Sequence, residues 1–201
     1  MKPAAALVLA SASPVRAQLL RAAGIALIID PAAIDEDEIK ASMRQAGATG
    51  AELAETLAEL KAARTARRHP GAMVIGADQV LALGEELFDK PADLAAARRQ
   101  LLALRGRTHE LLSAVVAVRD GTRLWHHVGR ASLTMRDFSE EFLDDYLAST
   151  GSAALGSVGA YQLEGLGAQL FRQIAGDYFT ILGLPLLPLL DFLREHRMLP
   201  A

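Results

Sequence analysis

Two serines and an arginine near the start of the chain have the types and spacing to hold an anion. Ser11, Ser13 and Arg16 follow an apolar, strand-like run, and Pro14 suits the first position of a helix. Ser13 is a favourable N-cap residue for that helix. The backbone N–H groups of the helix start, the hydroxyls and the guanidinium would converge on one point, where phosphate is the commonest guest. An ordinary strand, turn and capped helix would give the same pattern, so this segment alone leaves both interpretations open.

Two further segments carry carboxylates that could act as bases or ligands. Asp78 follows the apolar run 73–77, which we predict to be a buried strand that ends at this aspartate. A carboxylate at such a rim is partly desolvated and could serve as a general base or a metal ligand. The acidic run 35–38 is dense enough in oxygen atoms to hold Mg²⁺. Each has a plainer interpretation, since aspartate often caps a turn and acidic residues favour the first turn of a helix.

Two lysines gain meaning only in combination with these groups. Lys61 lies on a predicted helix over 51–68, and Lys90 precedes Pro91, which forces the chain there into an extended form. Taken singly, each pattern is typical of a solvated surface charge.

Composition limits the classes of function. A chain of 201 residues with 51% hydrophobic content can bury a full core. A net charge of −3 argues against general nucleic-acid binding, and the absence of cysteine excludes disulfides and thiolate chemistry. The sequence has no P-loop, no nucleophile elbow and no dinucleotide fingerprint, and its histidines lack metal-ligand spacing. Kinase, serine hydrolase and dinucleotide-dependent functions therefore lose their usual support.

Neither apolar end of the chain matches a membrane signal well. The run 4–10 is marginal as the core of a signal peptide, because an amphipathic helix follows it directly. The run 181–190 is too short to span a bilayer and is interrupted by Pro185 and Pro188. We therefore expect a cytoplasmic protein.

The hydrophobic pattern predicts an α/β fold. Strands are predicted at 7–10, 26–29, 73–77, 110–118 and 123–135, the last two flanking a hairpin turn at Asp120-Gly121. Helices are predicted at 13–24, 35–45, 51–68, 93–104 and 139–148, with a last helix after 181–190. The glycine-rich segment 151–167 is expected to form loops around short extended pieces. This alternation predicts a mixed, twisted central sheet flanked by helices, with a cleft between two lobes. No linker marks a boundary, so one domain over 1–201 is expected.

A series of short motifs runs along the chain in a characteristic order. They are Leu-Ala-Ser-Ala-Ser-Pro-x-Arg at 9–16, Asp-Glu at 35–36, Leu-Ala-x-x-Lys-Ala at 57–62, Ile-Gly-Ala-Asp at 75–78, Asp-Lys-Pro at 89–91, Leu-Arg-Gly-Arg-Thr-His at 104–109, Gly-Ala-Tyr at 159–161, Glu-Gly-Leu-Gly-Ala at 164–168, Gly-Asp-Tyr at 176–178 and Gly-Leu-Pro-Leu at 183–186. The series closely resembles the Maf family over essentially the whole chain. Members of that family are nucleoside triphosphate pyrophosphatases, which cut between the α- and β-phosphates and leave a monophosphate and pyrophosphate. They are linked to the clearing of non-standard nucleotides and to control of septum formation.

The resemblance assigns a role to each candidate residue. It makes Asp78 the proton acceptor that activates the attacking water, and Glu36 with Asp78 the ligands of a divalent cation, Mg²⁺ or Mn²⁺. It implies that the triphosphate is held by Ser11, Ser13, Arg16, Lys61 and Lys90. Clustered cations suit this reaction because charge develops on the phosphate oxygens. The nucleoside triphosphate is the implied partner, without nucleic acid or membrane, and a homodimer is left open as the assembly.

Three positions bear on the choice of base. Gln79 and Glu164 resemble the 7-methyl-GTP subgroup, whereas the dTTP/UTP subgroup has threonine and glutamine there. After Pro14 the general pattern has arginine and the 7-methyl-GTP subgroup tends to an aromatic residue, so Val15 fits neither. Guanine offers two adjacent N–H donors that a carboxylate can accept together, which favours 7-methyl-GTP as the substrate.

Two other functions stay open at this point. A nucleotide-binding regulator of septum formation with little or no catalysis would keep the phosphate ligands and lack the base, and the presence of Asp78 counts against it. A phosphatase acting on monophosphates would release orthophosphate, so analysis of the products separates it from a pyrophosphatase.

Overall fold

A seven-stranded mixed sheet organises residues 7–200, which are the residues that the computed structural model describes. The strands are β1 Leu7–Leu9, β2 Leu27–Ile29, β3 Met73–Leu83, β4 Glu86–Phe88, β5 Thr108–Arg119, β6 Thr122–Met135 and β7 Phe171–Ala175. Their order is β2-β1-β3-β5-β6-β7, and β4 pairs with β3. Strand β1 is parallel to β2 and β3, whereas β4 is antiparallel to β3 and β7 is antiparallel to β6. The predicted mixed α/β sheet is confirmed.

Side-chain caps fix where most of the helices begin. The helices are α1 Pro14–Ala22, α2 Glu36–Gln45, α3 Gly50–Ala66, α4 Leu94–Leu104, α5 Glu140–Thr150, α6 Tyr178–Ile181 and α7 Leu186–Glu195. Six of them follow a residue whose side-chain oxygen accepts a hydrogen bond from a backbone N–H of the first turn: Ser13, Asp35, Thr49, Asp93, Ser139 and Asp177. Helix α3 has a full capping box, in which Glu52 accepts in return from the backbone N–H of Thr49. None of the helices within residues 7–200 is long and apolar enough to cross a membrane.

The chain divides into two compact units. The first contains the residues up to Gln79, Ser113–Gly129 and those from Asp177 onward, and the second contains Val80–Leu112 and Arg130–Gly176. The expectation of one domain over 1–201, and that of a cleft between two lobes, remain predictions.

The core of the first unit lies on one face of β3. The alternate side chains of Met73, Ile75 and Ala77 are fully buried there, together with side chains from β1, α1, β5 and α7. Because successive residues of a strand point to opposite faces, Gly76 and Asp78 belong to the other face.

Helix α3 approaches β3 very closely at Gly76. A Cβ atom on this glycine would lie 1.9 Å from the carbonyl oxygen of Ala58 and 2.9 Å from the Cβ of Ala62, both on α3. Real Cβ atoms do not approach other atoms so closely, so only glycine fits. This contact fixes the separation of helix and strand beside Asp78.

The predicted end of the third strand at Asp78 is wrong. Strand β3 continues through Asp78 to Leu83, and Val80, Leu81, Ala82 and Leu83 are all buried. The apolar pattern therefore resumes after the two polar residues 78 and 79. An aspartate inside a strand is tolerated because Asp78 is paired with a cation, as described below.

The second unit contains a buried histidine. His109 on β5 is 1% exposed, and its Nε2 lies 2.7 Å from the hydroxyl oxygen of Tyr161. The Tyr161 ring in turn packs edge-on against Phe171, with the ring centroids 4.8 Å apart. Burial lowers the pKa of the His109 imidazole to about 4, so the ring is neutral near neutral pH.

The buried imidazole makes the stability of the protein depend on pH. Unfolding returns the His109 pKa toward 6.5, so between these two values the unfolded chain binds a proton that the folded chain does not. The free energy of unfolding should therefore fall by about 3 kcal/mol as the pH is lowered from 6.5 to about 4. Above pH 6.5 neither state binds this proton, and the protein keeps its full stability. Urea unfolding of the wild type and of His109→Gln across the window checks this. Equal pH slopes in the two proteins would contradict the assignment to His109.

The prediction that the glycine-rich segment 151–167 forms loops around short extended pieces is wrong. It contains 3₁₀ helices at Gly151–Gly156, Val158–Ala160 and Leu166–Leu170. Short-range bonds such as Ala160 N–H to the carbonyl of Ser157 satisfy the backbone locally. The chain therefore stays in tight turns where an extended piece would need a neighbouring strand.

Candidate functional site

Arg16 is the anchor of the site in the first unit. Its guanidinium donates from Nε to the carbonyl oxygen of Gly183 at 2.7 Å, and from Nη1 to the carbonyl oxygen of Ala77 at 2.8 Å and to Ser11 Oγ at 3.0 Å. These three bonds join α1 to the loop before α7 and to β3. Among the residues that the structure describes, these bonds use Nε and Nη1 and leave the Nη2 amino group for another acceptor.

Arg16 remains a cation although it is buried. Burial lowers the pKa of its guanidinium, and the nearby negative charges of Asp78 and Glu36 oppose that effect. A guanidinium stays protonated in proteins, and its planar fork suits phosphate oxygens. Arg16 therefore brings a fixed positive charge to the same place as the two carboxylates.

The two serines are turned toward the helix start. Ser13 Oγ accepts the backbone N–H of Arg16 at 3.4 Å, which is the predicted cap of α1. Ser11 Oγ accepts both from the backbone N–H of Ser13 and from Arg16 Nη1. A hydroxyl that accepts two hydrogen bonds still has its own proton to donate. Ser11 can therefore donate to an anion that Arg16 also contacts.

Lys61 connects the two candidate metal ligands. Its Nζ lies 2.6 Å from Asp78 Oδ1 and 2.9 Å from Glu36 Oε1. The side chains of Lys61 and Asp78 are each 10% exposed, whereas that of Glu36 is 38% exposed. Lys61 comes from the middle of α3, Asp78 from β3 and Glu36 from the first turn of α2, where Asp35 caps the helix. One ammonium group thus lies between two carboxylates.

Gln79 is held with its amide in a fixed orientation. Its Nε2 lies 3.0 Å from the carbonyl oxygen of Ile181, 3.2 Å from that of Thr180 and 2.9 Å from Ser113 Oγ. Ser113 in turn donates to the carbonyl of Thr180 at 2.7 Å. Backbone carbonyls only accept hydrogen bonds, so the NH₂ group of Gln79 must face them. The oxygen of the amide is therefore the group that Gln79 offers to a ligand.

The first unit brings together most of the residues singled out from the sequence. Ser11, Ser13, Val15, Arg16, Glu36, Lys61, Asp78 and Gln79 all belong to it, with Val15 partly exposed on α1. Lys90 and Glu164 belong to the second unit, and both are exposed. Glu164 lies in a tight turn closed by the backbone bond from Gly165 N–H to the carbonyl of Gln162.

The carboxylates of Glu36 and Asp78 suit a cation whose other ligands are phosphate oxygens and water. Within residues 7–200, no group of three histidine or acidic side chains is placed to hold a metal ion. Glu36 and Asp78 supply two carboxylates, and Mg²⁺ typically binds to one or two carboxylates together with phosphate oxygens and water. The residues present therefore fit a divalent cation that arrives in company with a phosphate group.

Sequence reasoning missed several groups that shape the site. Ser113 and Thr180 orient Gln79, and the carbonyl of Gly183 holds Arg16. The motifs Gly-Asp-Tyr and Gly-Leu-Pro-Leu flagged this region: Asp177 caps α6 through the N–H of Thr180, and Gly183 has a φ of 94°. The motifs gave no indication that backbone carbonyls here would contact Arg16 and Gln79.

Comparison with known proteins bears on this geometry. A family model described as Maf-like protein matches residues 6–196. A relative named nucleoside triphosphate pyrophosphatase, from Paramagnetospirillum magneticum, is 62% identical over 188 residues, which are 94% of this chain and 97% of the relative. A second protein of that name, from Granulibacter bethesdensis, is 56% identical over 193 residues, covering 96% of this chain and 98% of its own. A relative named 7-methyl-GTP pyrophosphatase, from Brucella abortus, is 54% identical over 191 residues, covering 95% and 96%.

Proposed function

Because the chain belongs to the Maf-like protein family, we propose that it is a nucleoside triphosphate pyrophosphatase, which hydrolyses the α–β phosphoanhydride to a monophosphate and pyrophosphate. The observation that carries this proposal is the group formed by Arg16, Ser11, Lys61 and Asp78. It places two cations, a hydroxyl donor and a carboxylate within one unit of the fold. The names of the relatives from Paramagnetospirillum and Granulibacter support the same activity.

Each residue of this group has a chemical task in the reaction. Arg16 Nη2, the Ser11 hydroxyl and Lys61 would bind phosphate oxygens, on which negative charge increases as the anhydride breaks. Asp78 would accept a proton from the water that adds to phosphorus, while the bridging oxygen departs with the other product. Glu36 and Asp78 would hold a divalent cation, which when bound neutralises phosphate charge and lowers the pKa of a water molecule. Ser13 and Lys90 complete the proposed phosphate ligands.

Product analysis tests the proposal. The protein is incubated with a panel of nucleoside triphosphates and Mg²⁺ or Mn²⁺, and pyrophosphate and orthophosphate are measured separately. We expect one pyrophosphate for each monophosphate formed. Release of orthophosphate alone would indicate a phosphatase, and nucleotide binding without any product would favour the septum-related regulator.

For the base, we propose that Glu164 reads a guanine-like edge and that 7-methyl-GTP is the preferred substrate. The relative from Brucella abortus that is named for this nucleotide supports the choice. Gln79 is compatible with this choice, because its fixed amide offers an acceptor for an N–H donor of the base. Val15 supplies no aromatic surface for stacking, so a preference set by hydrogen bonds alone should be modest.

Replacing Glu164 with glutamine should shift this preference. A hydrogen bond to a charged group contributes about 1.5–3 kcal/mol, so the ratio of kcat/KM for 7-methyl-GTP to that for UTP should fall roughly 10-fold or more. Steady-state kinetics with 7-methyl-GTP, GTP, dTTP and UTP measures the ratio. Glu141→Gln, at an exposed glutamate of the same unit, is the matched control and should leave it unchanged. If dTTP or UTP is the best substrate of the wild type, Glu164 does not read the base in this way.

Three predictions from the sequence do not depend on the arrangement of the site residues. Independence of nucleic acid, a homodimeric assembly and a cytoplasmic location remain predictions.

A further inference from the structure

The position of Lys61 conflicts with a resident metal ion. Its Nζ is paired with oxygens of Asp78 and Glu36, the same carboxylates that would hold the divalent cation. Mg²⁺ needs oxygen ligands at about 2.0–2.1 Å, so a cation bridging these two carboxylates needs the space that the ammonium nitrogen fills. The lysine and the metal ion therefore compete for one place.

Burial, helix packing and ion pairs hold the Lys61 side chain in place. The residue is 8% exposed on α3, a helix with a full capping box that is packed against β3 at Gly76. A buried ammonium is costly unless it is paired, and here the two carboxylates pair it. With Arg16 close by, two positive charges balance two negative ones before any ligand arrives.

A divalent cation without a nucleotide should bind only weakly to such a site. Among residues 7–200 it would find two carboxylates and no third acidic or histidine side chain placed to bind it. It would also have to expel the ammonium and leave that charge buried without these partners. A triphosphate changes both conditions, because its oxygens can complete the coordination of the cation and can also accept hydrogen bonds from Lys61 Nζ.

We infer that the ammonium of Lys61 occupies the position of the divalent cation in the free protein and moves to the phosphate oxygens when a triphosphate binds. The ligand that the site accepts is then the cation–triphosphate complex. The inference rests on the proposed function, since it takes a nucleoside triphosphate as the ligand. It also explains how one lysine can contact the metal-binding carboxylates in the free protein and the phosphates in the complex.

Binding of Mn²⁺ to the protein tests this without turnover. It is followed by the electron paramagnetic resonance signal of the free ion and corrected for the Mn²⁺ that the same concentration of nucleotide analogue binds without protein. We expect the wild-type protein alone to bind Mn²⁺ at least ~10-fold more weakly than in the presence of a triphosphate whose α–β bridge is a non-hydrolysable methylene, which corresponds to about 1.4 kcal/mol. Lys61→Met should bind Mn²⁺ at least ~10-fold more tightly than the wild type when no nucleotide is present. Adding Glu36→Gln to that variant should abolish the gain.

Arg64→Met is the matched control. It removes one positive charge from the exposed face of the same helix, and it should leave Mn²⁺ binding unchanged. The inference is overturned if the wild type alone binds Mn²⁺ as tightly as it does with the analogue, a comparison that needs no variant to fold. It is also overturned if Lys61→Met binds Mn²⁺ no better than the control. Failure of the premise that the ligand is a nucleoside triphosphate would look different, because the analogue would then bind to none of these proteins. Failure of catalysis alone would appear only in the product analysis and would leave these binding results unchanged.

Discussion

Replacing Asp78 with asparagine is expected to lower kcat by at least ~100-fold, the usual scale for the loss of a general base. Asparagine keeps the shape of the side chain and removes its charge and basicity. Because Arg16 and Ser11 are bonded to each other and to the backbone independently of Asp78, the binding of a non-hydrolysable triphosphate measured without a divalent cation should change only a few-fold. Pyrophosphate release measures the first effect and calorimetric titration measures the second.

The same substitution also disturbs an ion pair, and this effect must be separated from catalysis. Asp78→Asn leaves the buried ammonium of Lys61 with Glu36 as its remaining carboxylate, so a lower melting temperature is expected. Assays well below that temperature remove the contribution of unfolding. Asp37→Asn, at an exposed position of α2, is the control. Turnover near the wild-type rate in Asp78→Asn would place water activation elsewhere, with Glu36 the next candidate.

Replacing Arg16 with lysine should lower kcat/KM by about 100-fold, although the charge is kept. A lysine ammonium is one point with three donors and cannot span the acceptors on Ala77, Gly183 and Ser11 that the guanidinium reaches together. Two buried carbonyl groups would lose their partner, at a cost of about 1–3 kcal/mol each in the free energy of unfolding.

Steady-state kinetics and urea unfolding measure the two effects of Arg16→Lys. Arg21→Lys, at an exposed position on the same helix, controls for the chemical change. Activity within a few-fold of the wild type in Arg16→Lys would mean that the phosphate needs a positive charge there and not the oriented fork of the guanidinium.

Local features of the sequence predicted most of the elements. Short polar side chains at positions such as Ser13, Asp35 and Asp93 satisfy the first N–H groups of the following helix, so those helix starts follow from neighbours in the chain. The turn at Asp120-Gly121 has the positive φ values that its residue types favour. At these helix starts and at this turn, where the residue type itself determines the local backbone, sequence and structure agree.

The pairings within the site could not be read in the same way. Lys61 and Asp78 are 17 residues apart, and Arg16 and Gly183 are 167 residues apart. Nothing in the spacing of a lysine on a helix indicates which carboxylate it will meet. The placement of Asp78 at a strand end was wrong for the same reason, because the lysine that makes it tolerable inside β3 comes from another element.

The close packing at Gly76 has a consequence for how this sequence can vary among its relatives. The nearest neighbour of a Cβ atom there would be the backbone carbonyl oxygen of Ala58, so no change of side chain on α3 would make room for it. Alanine at position 76 would instead require the whole helix to move outward, carrying Lys61 away from the carboxylate of Asp78, which it now meets at 2.6 Å. Relatives that keep this ion pair should therefore keep glycine at position 76. A larger residue should first be tolerated there in relatives that have lost the lysine.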